Sequence, residues 1–268
     1  MKPDYFDIHS HLDFKDYDQD REVTIQALKD NNIWTTTIGT ELKTSKNAVE
    51  LAEKHQNLYA TIGVHPADNH SEEFTVEYEE LVKHPKVVAI GECGLDYARL
   101  LEDSEKEKKR QKALFEQHIE FSIKHSKPLM IHCRDAYPDT LALLESKKRE
   151  YGDKLRGNFH FFTSPIEIAR QCLEIGFSVS FTGPITFATQ YEEVVDYVPL
   201  ERMMAETDAP FASPVPFRGK RNNPRYVQEI VKKIAHIKKI ELEIARKQLV
   251  ENSLYFFLIN PLSGSDTI

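Results

Sequence analysis

Short runs of β-branched and aromatic residues alternate along the chain with longer segments whose apolar positions recur every three or four residues. YFDIH (Tyr5 to His9) predicts a strand, and Arg21 to Asn31 predicts a helix with Val23, Ile25, Ala27 and Leu28 as its apolar positions. IWTTTIG and LYATIGV predict two further strands around a helix near Asn47 to His55. A helix ending near Lys83 leads into a fourth strand, Val87 to Glu92. Ser104 to His125 predicts the longest helix, with Leu114, Ile119 and Ile123 on its apolar stripe. Ser104 followed by Glu107 fits a capping box at its start.

The second half repeats the alternation. Pro128 to His132, NFHFF, FSVSF and Arg202 to Glu206 predict strands five to eight. Helices are expected from Pro138 to about Lys148, from Pro165 as a first helical residue, near Tyr191 to Tyr197, from Pro224 to Ile237 and from Glu241 to Phe256. Eight strands each followed by a helix call for a parallel sheet, and about 250 residues is a usual length for a (β/α)8 barrel. The expected organisation is one α/β domain of TIM-barrel type over residues 1–260, with a frayed tail at 261–268. A doubly wound open sheet is the competing topology. No GxGxxG and no phosphate-binding GxxxxGK loop follows a strand, which argues against a nucleotide fold of that kind.

Composition narrows the classes. In 268 residues, 35 Lys+Arg against 43 Asp+Glu give a net charge of −8, which disfavours a protein that coats nucleic acid by bulk charge. It leaves local phosphate chemistry open, because bound cations can supply positive charge. With 40% hydrophobic and 29% charged residues, a sizeable core and a solvated surface are expected. No apolar stretch approaches the ~18 residues of a membrane span, and MKPDYFDIHSHLD turns acidic where a signal peptide would be apolar. Cys93, Cys133 and Cys172 lack CxxC spacing and suit a reducing cytosol, each most simply as a small buried hydrophobe.

Placed on this map, the polar residues collect at strand ends. His9 and His11 end strand one, His65 strand three, Glu92 strand four and His132 strand five, while His160 falls in strand six and Asp208 follows strand eight. In a barrel those C-terminal ends share one face, where active sites are built. Imidazoles and carboxylates gathered there are costly unless they bind something, and one or two divalent cations would satisfy them. A lone HxH, or one His such as His132 or His160, is usually structural; the joint placement carries the argument. His65 and His84 precede prolines; His65 is kept near the site, and His84, His118, His125 and His236 are assigned to helices or solvent. The mixed N/O donors suit Zn²⁺, Mn²⁺, Fe²⁺ or Ni²⁺ better than Mg²⁺.

In order, DIHSHLD, IGVHP, AIGECGLDY, PLMIHCRDA and ETDAPF with SPVPFRGKRNNP span residues 7 to about 225. With these motifs the chain resembles the TatD family of metal-dependent hydrolases, within the wider amidohydrolase-like barrels. The resemblance implies a two-metal phosphoesterase, usually described as a deoxyribonuclease. By position, His9, His11 and Asp208 would hold one ion, His132 and His160 the other, and Glu92 would bridge them. A glutamate at the end of strand four, where related barrels use a carboxylated lysine, favours the TatD branch. Two cations can then activate a water and clamp the phosphate oxygens, with Asp208 accepting its proton and Glu206 assisting. Glu206 reads equally as a barrel-interior carboxylate paired with a base.

Substrate contacts rest on position alone. Arg134 is placed to reach a phosphate or to pair with Asp135. Arg218, Lys220, Arg221 and Arg225 form a basic run that is either a phosphate-binding loop at the metal face or a solvated surface. Tyr97 and the Phe161/Phe162 pair are candidates to stack a base, with core packing expected for at least one phenylalanine. EKEKKRQK (Glu105 to Lys112) belongs on a solvated helix. Ser164, Phe217 and Asn223 stand where the family pattern has glycine, histidine and glutamate, which bears on substrate preference and loop geometry. The expectation is a cytoplasmic, monomeric, metal-dependent hydrolase acting on DNA, trimming a 3′ end as one mode. Hydrolysis of an amide or ester, such as a D-aminoacyl-tRNA linkage or a lactone, is the catalytic alternative. A non-catalytic barrel that binds a partner is the third reading.

Overall fold

The computed structural model describes residues 2–260, so the tail expected at 261–268 lies outside the described residues. Eight parallel strands lie side by side in chain order: β1 (Tyr5–Ser10), β2 (Ile33–Ile38), β3 (Leu58–Ile62), β4 (Val87–Asp96), β5 (Leu129–Arg134), β6 (Gly157–Phe159), β7 (Ser178–Phe181) and β8 (Met203–Ala205). Between and after them run α1 (Arg21–Asp30), α2 (Leu42–Lys54), α3 (Tyr78–Leu81), α4 (Ser104–Lys124), α5 (Tyr137–Tyr151), α6 (Ile166–Glu174), α7 (Glu192–Tyr197), α8 (Val227–Lys238) and α9 (Leu242–Phe256). The sheet curls into a nearly closed TIM barrel. Its seam is short: Ser10 bridges Ala209, the His11 amide donates to the Ala209 carbonyl at 2.7 Å, and the Asp208 amide donates to the His9 carbonyl at 2.9 Å.

The apolar residues make two layers. One lies between strands and helices, where Tyr17, Phe115, Phe159 and Phe177 are fully buried; such side chains contribute about 1.5–3 kcal/mol each relative to exposure. The other joins Phe6, Val88, Met130 and Met204 to Val250, Leu254 and Phe256 of α9, near the strands' N-terminal ends. The opposite, C-terminal end is left to polar residues.

Local chemistry shifts some boundaries from the sequence expectation. Helix α2 begins at Leu42, five residues before the expected start, because Glu41 and Thr44 form a capping box in which the Thr44 hydroxyl accepts the Glu41 amide at 2.9 Å. At α4 the expected box does not form. Asp103 caps it by accepting the Lys106 amide at 3.1 Å, while Glu107 turns to Arg110, Gln111 and His70. Pro165 is the N-cap of α6 and not its first residue. On α1, Ile25 and Leu28 are buried, whereas Val23 faces solvent at 71% exposure. His118 lies on α4 as expected but is fully buried, its Nδ1–H donating to the Leu114 carbonyl and its Nε2 accepting the Val64 amide at 3.0 Å.

Candidate metal centre

The seam between β1 and β8 builds the first half of the site. His9 sits near the end of β1 and His11 just beyond it, and their Nε2 atoms lie 3.3 Å apart. Asp208 is brought beside them by the hydrogen bond from its amide to the His9 carbonyl, with a backbone φ of +53°, a region that Asp tolerates better than most residues. Its Oδ1 lies 3.5 Å from His9 Nε2 and 3.4 Å from His11 Nε2. A tetrahedral ion with bonds of about 2.0–2.1 Å separates its donor atoms by about 3.3–3.4 Å, so this triangle fits a divalent cation. His11 Nδ1–H donates to the Ile38 carbonyl at 3.2 Å, which directs Nε2 into the triangle. Burial alone would depress His11, yet the hydrogen bond and charge of Asp208, with Glu92, push it up to about 9. The carboxylates call for positive charge at that nitrogen.

Glu92 joins the two halves. Its Oε2 lies 3.6 Å from His9 Nε2 and 3.9 Å from His11 Nε2. Its Oε1 lies 3.0 Å from His132 Nδ1, 2.9 Å from His160 Nε2 and 3.6 Å from His65 Nε2. One carboxylate thus presents an oxygen to each group of imidazoles. Burial opposes its charge, but His160 and His65, with hydrogen bonds from His132 and His160, hold Glu92 well below the usual carboxylate range. Strand β6 ends at Phe159, so His160 stands just past the strand, its amide held by the Ile131 carbonyl at 3.0 Å. The ring of His160 stacks on His9 at 3.9 Å between centroids. The donor sets His9/His11/Asp208 and His65/Glu92/His132 each converge closely enough to hold an ion.

A second layer of polar residues fixes these rings. Strand β4 runs four residues past Glu92, and Asp96 at its end accepts from His132 Nε2 at 3.1 Å, leaving Nδ1 to face Glu92. Asp96 is buried, and although burial opposes its charge, His132 and Arg99 hold it far below the usual range. Arg99 spans Asp96 and Asp68 at 2.9 Å each and comes within 3.3 Å of His65 Nε2. His65 Nδ1 accepts the Ala67 amide at 3.1 Å; burial, then the neighbouring His132, keeps it well below the ordinary histidine value. Asp96, Asp68 and Arg99 were not singled out from sequence. The signal was the DY and R that follow GECGL, which the shorter fourth strand left in a loop. Glu206 is fully buried and accepts from the Phe161 amide at 2.6 Å and the Ser180 hydroxyl at 2.8 Å, with His160 Nδ1 3.5 Å away. That is the barrel-interior pairing, and it positions the His160 segment. Asp7 does the same for the seam, accepting the Thr207 amide at 2.8 Å and hydroxyl at 2.7 Å.

The centre forms the floor of a cavity of about 630 Å³. Arg134 lines it, is exposed, and makes no ion pair with Asp135 or any other carboxylate among the described residues. Phe161 lines it too, as do Phe14, Tyr191 and Phe211, whereas Phe162 is core, edge-on to Tyr137 and Phe181. Tyr97 is not in the cavity wall: its hydroxyl donates to Asp139 at 2.6 Å and Lys108 lies over its ring. Nor do Arg218, Lys220 or Arg221 line it. Arg221 forks onto both oxygens of Asp20 at 2.9 and 2.6 Å and covers the Tyr17 ring, while Arg218 stacks on Phe187 at 3.8 Å. Two members of the basic run after β8, Arg221 and Arg218, are thus engaged in loop contacts. Two of the three departures from the family pattern have structural work as well: Phe217 stacks on Tyr226 at 3.7 Å, and Asn223 accepts the Arg225 amide at 3.0 Å.

Comparison with known proteins identifies the family and supports the fold. A family profile described as TatD related DNase matches residues 6–258. YabD of Bacillus subtilis, described as an uncharacterized metal-dependent hydrolase, is 38% identical over 260 residues, covering 95% of this chain and 99% of YabD. YcfH of Escherichia coli K12, described in the same words, is 34% identical over 262 residues, covering 95% and 96%. The crystal structure of YJJV, a TatD homologue from the same organism, superposes with a TM-score of 0.85 over 97% of this chain and 100% of its own, at 24% identity, which speaks for the fold. The chain belongs to the TatD family of metal-dependent hydrolases.

Proposed function

We propose that the protein hydrolyses phosphodiester bonds of DNA at a strand end, with two divalent ions held by His9, His11 and Asp208 and by His132 and His160, and with Glu92 between them. The observation that carries this reading is the unpaired, exposed guanidinium of Arg134 on the wall above the ligand cluster. A free cation beside a metal floor suits an anionic substrate. When bound, the ions supply Lewis-acid activation of water and stabilise charge on phosphoryl oxygens.

The chain's own residues do the rest. Asp208, at the edge of the cavity, accepts a proton from the attacking water, and its hydrogen-bonded backbone fixes the direction of that transfer. His65 stands beside Glu92 at the reacting region, its Nε2 3.6 Å from Glu92 Oε1 and within 3.3 Å of the Arg99 guanidinium. Arg134 holds a phosphate, and Phe161, Phe211 and Tyr191 offer ring faces to a base. The ligands are deeply set, with side-chain exposures of 0% for His9, 5% for Glu92 and 13% for Asp208. Such a recessed floor suits a strand end or an unpaired strand better than an intact duplex.

The test is incubation of metal-loaded protein with single-stranded DNA, duplex DNA, RNA and a D-aminoacyl ester. Release of nucleotides from DNA supports the reading. Turnover of the ester with DNA left intact replaces it with the carbonyl-hydrolysing alternative.

A further inference from the structure

A second cavity, of about 430 Å³, lies at the other end of the barrel. Gly157, Ser178 and Met203, the first residues of β6, β7 and β8, line it, so it is on the face opposite the metal ligands. Its volume is within the range of about 300–1,000 Å³ typical of small-molecule sites.

Arg156 and Arg202, which precede β6 and β8, are both partly buried in this cavity. Each gives one N–H to a backbone carbonyl: Arg156 Nη1 to Phe256 at 3.3 Å, and Arg202 Nη2 to Phe177 at 2.9 Å. Neither forms an ion pair among the described residues, whereas Arg21, Arg99, Arg110, Arg221 and Arg246 each meet a carboxylate. Burial lowers Arg156 from the usual arginine value. Lys148 is also present, with Asp153 at 3.3 Å and the Leu155 carbonyl at 3.0 Å. Asp153 is thereby drawn to Lys148, and the other carboxylate of the lining, Glu201, is exposed.

Partly buried guanidinium groups with free N–H donors and no counter-charge are costly, and their fork matches the oxygens of a phosphate. The rest of the lining sets the apolar Met203, Met204 and Phe256 beside Ser178 and Asn252, whose side chains are already hydrogen-bonded within the protein, and the ring of Tyr255 stands at the rim, 78% exposed. We infer that this cavity binds a phosphate monoester carrying a flat organic group, a nucleoside monophosphate, with the phosphate on Arg156 and Arg202 and the ring against Tyr255. Binding here requires no hydrolysis and is independent of the reaction at the metal centre.

Calorimetric titration of the metal-loaded protein with thymidine 5′-monophosphate, inorganic phosphate and thymidine tests the inference, alongside Arg156→Gln, Arg202→Gln and Tyr255→Ala. The expected result is saturable binding of the monophosphate, weakened at least tenfold by either arginine change and severalfold by Tyr255→Ala, with unchanged metal content and DNA turnover. Arg156→Lys, which retains the charge but loses the fork, is expected to weaken binding severalfold and serves if the glutamine variant does not fold. Monophosphate binding that survives all the arginine substitutions would place the ligand at the metal centre and overturn the inference. Equal affinity for thymidine, or for inorganic phosphate, would overturn it as well.

Discussion

Asp208 is tied to His9 twice: its amide donates to the His9 carbonyl at 2.9 Å, and its carboxylate Oδ1 lies 3.5 Å from His9 Nε2. The contact that closes the barrel is the one that delivers the carboxylate to the imidazoles, so fold and site share a single residue. Asn keeps the side-chain shape and tolerates the left-handed backbone. Asp208→Asn should therefore fold with stability within about 1 kcal/mol of wild type, the range of changes that create no cavity or buried charge. Hydrolysis should fall by at least about 10²-fold, the scale of a lost proton acceptor. Thermal unfolding and steady-state kinetics on the purified variant check both, and wild-type turnover would remove Asp208 from the chemistry.

Asp96 acts on His132 from behind. With its carboxylate gone, His132 loses the acceptor that fixes which nitrogen faces Glu92. Asp96→Asn should reduce metal affinity or activity by roughly 10–100-fold, the usual effect of removing the partner of a ligating histidine. A competition titration with a chromophoric chelator reads the affinity directly. An unchanged affinity would make Asp96 a partner of Arg99 alone.

Two arginines separate substrate contact from loop structure. Arg134→Gln should raise KM for DNA about tenfold or more while leaving turnover of a neutral ester unchanged, because a charge-assisted hydrogen bond contributes about 1.5–3 kcal/mol. Arg221→Gln removes a partly exposed pair with Asp20, so it should cost no more than about 1 kcal/mol of stability and leave KM within about twofold. The reverse pattern would restore the loop after β8 as the phosphate site.

His118, on α4 outside the ligand cluster, supplies a pH dependence of its own. Burial lowers it from 6.5 to about 4, against a weaker upward effect of the Leu114 carbonyl. The unfolded chain therefore binds one more proton than the folded one between those values. Stability from this residue is complete above pH 6.5 and is lost as pH falls toward 4, by about 3 kcal/mol in total. NMR titration of the His118 ring should show protonation only near pH 4. Protonation near 6.5 would contradict the buried, neutral assignment.

Much of the architecture was legible because most of the strands end at or just before a histidine, glutamate or aspartate. His9, His11, Glu92, His132 and Asp208 follow from alternation and strand order, and the structure brings them within a few ångströms of one another. His160 was placed inside its strand because NFHFF is apolar enough to hide a strand that stops at Phe159. Asp96 and Arg99 escaped because a strand that continues past its glutamate looks like a loop when it contains two glycines, Gly91 and Gly94. The basic run was only partly legible for a different reason. Sequence shows charge but not its partner, and Asp20, 201 residues away from Arg221, pairs with that one arginine. The same blindness left Arg134 without a clear role until its lack of a partner was visible.

The central claim is metal-dependent hydrolysis of DNA at the cluster around Glu92. The most direct measurement is nucleotide release from single-stranded DNA by EDTA-stripped protein, before and after Mg²⁺, Mn²⁺ or Zn²⁺ is restored, with bound metal quantified in parallel. The account predicts no release from stripped protein, recovery with at least one of these ions, and loss of both bound metal and activity in a His9→Ala, His11→Ala variant. Full nucleotide release by the stripped protein, or by that variant, would contradict it.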